Sequence, residues 1–137
     1  MIVYTDSLDG ITSDKLNGFF EGWKDPPDAD THLEILKNSA QVILAIDDET
    51  RNVIGFINAI SDNVLSAYIP LLEVLPEYRG EGIGSELVKQ MLEKLNNLYM
   101  VDITCDSDLQ PFYEKFNLTP STGMLKRNYS LQSGKKL

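Results

Sequence analysis

The sequence predicts an α/β fold built on a mixed, mostly antiparallel sheet flanked by helices. Three observations carry that prediction. Residues 41–75 hold three apolar runs separated by short polar turns, the pattern of an antiparallel meander. From Ile83 the apolar spacing changes to intervals of three and four, which marks an amphipathic helix. A further apolar run, Met100 to Cys105, follows that helix directly, so strand, helix and strand form a crossover whose two strands lie parallel. The length of 137 residues suits one domain, assigned to residues 1–130, with a polar tail at 131–137 expected to fray.

Each element has a local reason. Ile2-Val3-Tyr4 opens a short strand that ends in the turn residues Asp6 to Gly10. Ser13 or Asp14 can cap a helix carrying Leu16, Phe19 and Phe20, stopped by Gly22 and Pro26-Pro27. Asp28 or Asp30 can cap a second helix through Leu33, Leu36 and Lys37. Strands follow at 41–47, Val53 to Ile60 and Val64 to Leu75, with turns at Asp47 to Thr50 and Asp62-Asn63. Ile83, Leu87, Val88, Met91, Leu92, Leu95 and Leu98 form one stripe of a helix reaching about residue 98. After the strand at 100–105, Leu109, Phe112, Tyr113 and Phe116 mark a short helix, and Met124 to Ser130 reads as a last strand.

Composition narrows the function. Twelve Lys and Arg against 21 Asp and Glu give a net charge of −9, with 12 acids and 4 bases in residues 1–62. Such a surface repels phosphate backbones and anionic lipid, so neither nucleic acid nor membrane is expected as a partner, whereas a cationic small molecule is compatible. The opening MIVYTDSLDG lacks a basic run, no apolar stretch could span a bilayer, and Cys105 is the single cysteine; the expected location is the cytoplasm. No Cys or His spacing suits a metal, and none is expected.

The chemistry concentrates in Pro76-Glu77-Tyr78-Arg79-Gly80-Glu81-Gly82-Ile83-Gly84-Ser85, between a strand and a helix. Glycines allow positive φ and close approach to the backbone, and the first-turn N–H groups of a helix with its dipole attract an anion. Either a tight structural turn or a phosphate cradle, with Arg79 adding a charge-assisted bond, fits this pattern. A Walker A loop would need a lysine after the glycines, and G-x-G-x-x-G fails because Ser85 occupies its last position. R-x-x-G-x-G is matched by Arg79, Gly82 and Gly84.

In its core block SAYIPLLEVLPEYRGEGIGSELVKQMLEKL, residues 66–95, and in LQPFYEKFNL, residues 109–118, the sequence resembles the GNAT superfamily of acyl-CoA-dependent N-acetyltransferases. The resemblance implies that the two parallel central strands splay apart and take the pantetheine arm of acetyl-CoA between them. It places backbone contacts at Leu72, Val74 and Leu75, and the pyrophosphate on Arg79, Gly80, Glu81, Gly82, Ile83, Gly84 and Ser85. Pro70 agrees independently, since a proline cannot donate to a ladder and its strand must bulge or lose a partner there.

The resemblance also makes Tyr113 the general acid for the departing thiolate, whereas spacing alone would make it a core aromatic. A phenol (reference pKa about 10) stays protonated beside a thiol (about 8.5). Alternation along residues 64–75 groups Ala67, Ile69, Leu71, Glu73 and Leu75 on one face, leaving Glu73 the lone carboxylate in an apolar row and a candidate base. A main-chain N–H near Val74 or Leu75 is the candidate oxyanion donor. Asn117 stands where related sequences usually have glycine, and asparagine tolerates the left-handed conformation. Acids around Trp23 point to a cationic acceptor, a small amine or a protein N-terminus, and a homodimer is compatible with the chain. His32 is expected at the surface and Cys105 as a half-buried strand-end thiol. The alternative function is a catalytically silent acetyl-CoA sensor or partner-binding module.

Overall fold

The computed structural model describes residues 1–135. Its elements are β1 (Ile2–Thr5), α1 (Ala29–Lys37), β2 (Gln41–Asp47), β3 (Val53–Ser61), β4 (Ser66–Val74), α2 (Ile83–Lys94), β5 (Met100–Ile103) and α3 (Gln110–Glu114). The strands form one sheet in the order β1-β2-β3-β4-β5. All neighbours are antiparallel except β4 and β5, which the α2 crossover makes parallel.

Helices cover both faces, so the central strands bury both sets of side chains. On one face α2 and α3 pack Ile83, Leu87, Val88, Met91 and Tyr113 against Ile43, Ile57 and Ile69. On the other, α1 and the loop before it pack Leu16, Phe20 and Leu36 against Val42, Leu44 and Phe56. Burial on both faces explains why β2 and β3 read as continuous apolar runs rather than alternating ones. Gly55 lets α2 settle close: a Cβ there would meet Leu87 Cδ1 at 3.3 Å and Ile83 Cγ2 at 3.4 Å. Asp28 proves to be the α1 cap, accepting from the Thr31 N–H at 2.8 Å.

Midway along β4 the register shifts. Asn58 pairs with Leu71 and Ile60 with Tyr68, so Ile69 and Pro70 together oppose Ala59. β5 pairs only with Ser66–Ile69 and ends at Ile103. The bulge and the fork therefore coincide at Pro70, whose missing N–H suits the place where β4 loses its neighbour.

Four expectations need correction. Residues 13–20 do not form a helix: a 3-10 turn spans Ser13–Lys15, then Gly18 (φ +92°) and Phe20 (φ +65°) take left-handed backbone. α2 ends at Lys94 rather than 98. No strand forms at 124–130: these residues are exposed and irregular up to a 3-10 turn at Tyr129–Leu131. His32 is 1% exposed, not on the surface. In the tail, Gln132 Oε1 accepts from the Asp25 N–H at 2.9 Å and Lys135 Nζ meets Asp28 at 2.7 Å; Lys136 and Leu137 lie outside the described residues. Asn117 adopts φ +68°, the left-handed conformation that asparagine accommodates.

Candidate active site

The glycine-rich turn is shaped as its composition suggests. After a 3-10 turn at Pro76–Tyr78, Gly80 (φ +82°) and Gly82 (φ +81°) take conformations that strain any residue with a Cβ, and Gly82 is the N-cap of α2. No side chain caps this helix. Among the described residues the N–H groups of Gly80 to Ser85 have no partner within the chain; the first bonded amide is Glu86, to the Gly82 carbonyl at 3.1 Å. A Cβ built on Gly80 or Gly82 would meet nothing within 4 Å. These bare donors, at the positive end of a twelve-residue helix, suit the phosphate oxygens of a nucleotide-type ligand.

Beside this turn lies the open half of β4. The Leu75 N–H bonds to the Ile54 carbonyl at 2.8 Å, which fixes the alternation along the strand. Leu71, Glu73 and Leu75 direct their main-chain groups toward β3, while Leu72 and Val74 direct theirs into the fork vacated by β5. Leu72 and Val74 are thus placed for main-chain bonding to a ligand arm. Leu75 is turned away from it: its N–H is spent on Ile54, and its carbonyl accepts from the Tyr78 N–H at 2.9 Å. Arg79 folds back over the fork, with Nε donating to the Val74 carbonyl at 2.9 Å and Nη2 to Glu21 Oε2 at 2.7 Å. A phosphate would compete with Glu21 for this half-exposed guanidinium.

α3 closes the third side. A Cβ on Gly84 would lie 3.9 Å from Val74 Cγ2 and 4.0 Å from Phe112 Cζ, so β4, α2 and α3 converge there. Tyr113 packs edge-on against Phe112 with ring centroids 4.9 Å apart, and it is 8% exposed. Burial, aided by the nearby half-buried Cys105, pushes its phenol up to about 12. Tyr113 is therefore both a core aromatic and a phenol that keeps its proton at neutral pH.

Glu73 lies elsewhere than alternation predicts. The bulge at Ile69-Pro70 reverses the pleat: Ala67 and Ile69 share the α2 face with Leu72 and Val74, while Leu71 and Glu73 turn to the α1 face. Its carboxylate there accepts the Phe20 N–H at 2.8 Å and the Glu21 N–H at 3.3 Å, pinning the loop that precedes α1. Phe20 in turn stacks against Trp23 and His32. His32 sits among Phe19, Phe20 and Phe56 with centroids 4.4–5.2 Å away, and neither ring nitrogen has a partner. Burial pulls its pKa down to about 4, so it is neutral. Asn58, also buried, donates to Ser39 Oγ at 3.0 Å, while its Oδ1 is unpartnered. The neighbours of both residues come from distant segments, a signal absent from local sequence.

A concavity of about 480 Å³ between β1 and α2 is lined by mixed charges such as Asp6, Glu86, Lys89 and Lys94. No residue of the fork or of the glycine turn lines it. Among the described residues no cluster of three His, Cys, Asp or Glu could hold a metal ion, and no helix is long and apolar enough to cross a membrane.

Comparison with known proteins agrees with this geometry. The acetyltransferase (GNAT) family model matches residues 8–118. A crystal structure named "putative acetyltransferase" from Deinococcus radiodurans R1 is 45% identical, with a TM-score of 0.95 over 99% of this chain and 94% of that one. A GNAT family acetyltransferase from Streptococcus pneumoniae TIGR4 is 25% identical, with a TM-score of 0.75 over 93% and 98%. An "uncharacterized N-acetyltransferase ycf52" of Pyropia yezoensis is 32% identical over 84 residues, 58% of this chain, and the match spans about half of that relative's length, 48%. With its splayed strands, its bare α2 N-terminus and a family match over most of its length, this chain belongs to the GNAT acetyltransferase family.

Proposed function

We propose that the protein transfers an acetyl group from acetyl-CoA to a primary amine by direct attack in a ternary complex. The observation that carries this reading is the convergence at Gly84 of uncapped helix amides, the unpaired edge of β4 and α3 with its buried, protonated Tyr113. The pyrophosphate would rest on the amides of Gly80 to Ser85, and the pantetheine arm would pair with main-chain groups of Leu72 and Val74.

The amine nitrogen attacks the thioester carbonyl carbon, and the carbonyl oxygen takes up the negative charge. The N–H groups of Leu72 and Val74, which face the fork, are the donors left for that oxyanion, because the Leu75 N–H is spent on Ile54. As the C–S bond breaks, the thiolate takes the Tyr113 phenolic proton. The surplus proton of the former amine leaves to water or to Glu73, and bulk water restores the phenol. Glu73, Glu21 and the acidic segment around Trp23 favour a cationic acceptor, a small amine or a protein N-terminus. The cytoplasm supplies acetyl-CoA and the reduced Cys105 this reading assumes.

A thiol-release assay with acetyl-CoA over neutral and cationic amines tests the proposal. Amine-dependent release of CoA, faster for cationic acceptors, is expected. Saturable acetyl-CoA binding without release for any amine would instead indicate a silent sensor. Equal rates for charged and neutral amines would remove the cationic-acceptor assignment.

A further inference from the structure

Resting on the acetyl-transfer reading, we infer that Glu21 is the carboxylate that selects a cationic acceptor, and that Arg79 masks it until a diphosphate occupies the glycine turn. A single guanidinium joins the two places. Arg79 Nη2 donates to Glu21 Oε2 at 2.7 Å, while Nε donates to the Val74 carbonyl at 2.9 Å. Glu21 is held at its main chain from β4, since its N–H donates to Glu73 Oε2 at 3.3 Å beside the Phe20 N–H on Oε1 at 2.8 Å. Arg79 therefore ties the open edge of β4, where a ligand arm pairs, to the loop before α1.

The two sites make conflicting demands on Arg79. In the free chain its donors serve Glu21 and Val74. A diphosphate on the amides of Gly80 to Ser85 offers it a stronger anion, and the ligand arm needs the Val74 carbonyl that Nε covers. The Arg79 and Glu21 side chains are 50% and 52% exposed, and an ion pair so exposed is weakly held. Turning the guanidinium to the phosphate uncovers Val74 and leaves Glu21 with its main-chain tether but no cation. A cationic amine replaces the lost partner, and a neutral one does not. Glu73 cannot substitute, because its oxygens already accept from Phe20 and Glu21. Two residues beyond Glu21, Trp23 packs on Phe20 with centroids 4.9 Å apart and stays 40% exposed, an indole face for the organic part of such a cation. By linkage, each ligand strengthens the other by the same factor.

Calorimetric titration of the full chain with CoA and with phenethylamine tests this. Saturating CoA should tighten phenethylamine binding at least about fivefold, and should not tighten that of the neutral phenethyl alcohol. Glu21→Gln should tighten CoA about two- to fivefold by releasing Arg79, and should abolish the amine's gain. Arg79→Ala should act oppositely on the amine, which binds without CoA as tightly as it binds the CoA-loaded parent. Both side chains are half exposed, so melting should stay near that of the parent. An amine gain that survives Glu21→Gln, as a general attraction between the charges of CoA and amine would give, would overturn the assignment. Unchanged CoA affinity in Glu21→Gln, or an Arg79→Ala protein that binds the amine no better than the free parent, would do the same. These results would leave acetyl transfer standing wherever the parent still releases CoA with an amine; a parent that binds no CoA would remove both.

Discussion

β4 is two strands in one. From Ser66 to Ile69 it is bonded on both sides, to β3 and in parallel to β5. From Leu71 to Val74 only β3 remains, and the other side faces the fork. The zipped half carries Ala67 and Ile69 into the buried core; the open half presents main-chain groups beside the bare amides of the glycine turn. The division falls at Pro70, where one missing N–H and one bulge separate a region that holds the fold from a region that can bind. Substitutions should sort accordingly, with those near the zipped half costing stability and those near the open half costing function.

The sharpest separation comes from Tyr113→Phe. The ring keeps its packing on Phe112, so melting should change little, while turnover should fall about 10²- to 10⁴-fold, the usual value of a general acid. Equal turnover would show that the phenol is only core. On the structural side, Ile69→Ala removes a buried side chain from the zipped half, and denaturant unfolding should show a loss of about 2–5 kcal/mol.

His32 makes the α1 face sensitive to acid. Its pKa near 4 in the fold lies below the usual 6.5, so between these values the unfolded chain binds more protons than the folded one. Stability is full above about pH 6.5 and falls as pH drops toward 4, by about 3 kcal/mol from this residue. His32→Leu should flatten the unfolding free energy across that window. Glu73→Gln probes the loop that Glu73 pins: weakening its bonds to Phe20 and Glu21 should cost about 1–3 kcal/mol. If Glu73 also accepts the amine's proton, the acid limb of the kcat profile should move with this change; a purely structural Glu73 would leave that limb in place.

What could be read from the chain and what could not divides along the same line. The α2 stripe, the meander and the glycine turn are written in contiguous residues, and Pro70 marks the fork by its own chemistry. The side on which Glu73 emerges depended on a bulge that shifts the period by one residue, which strict alternation cannot anticipate. Residues 13–20 carry helix signals, yet the long-range bonds from Glu73 and the left-handed Gly18 and Phe20 override them. The Met124 to Ser130 run has strand composition but no pairing partner within its own chain, and pairing decides whether such a run becomes a strand. His32 could not be placed from one helix alone, because Phe19, Phe20 and Phe56 form its surroundings.

The central claim is that the open half of β4 and the α2 N-terminus together receive a CoA-type ligand. Titrating isotopically labelled protein with CoA and following main-chain amide resonances tests it most directly. The account predicts saturable shifts concentrated at Leu72, Val74 and Gly80 to Ser85, with Ser66 to Ile69 unmoved. Saturable binding that leaves those amides unchanged, or shifts gathered instead between β1 and α2, would contradict it.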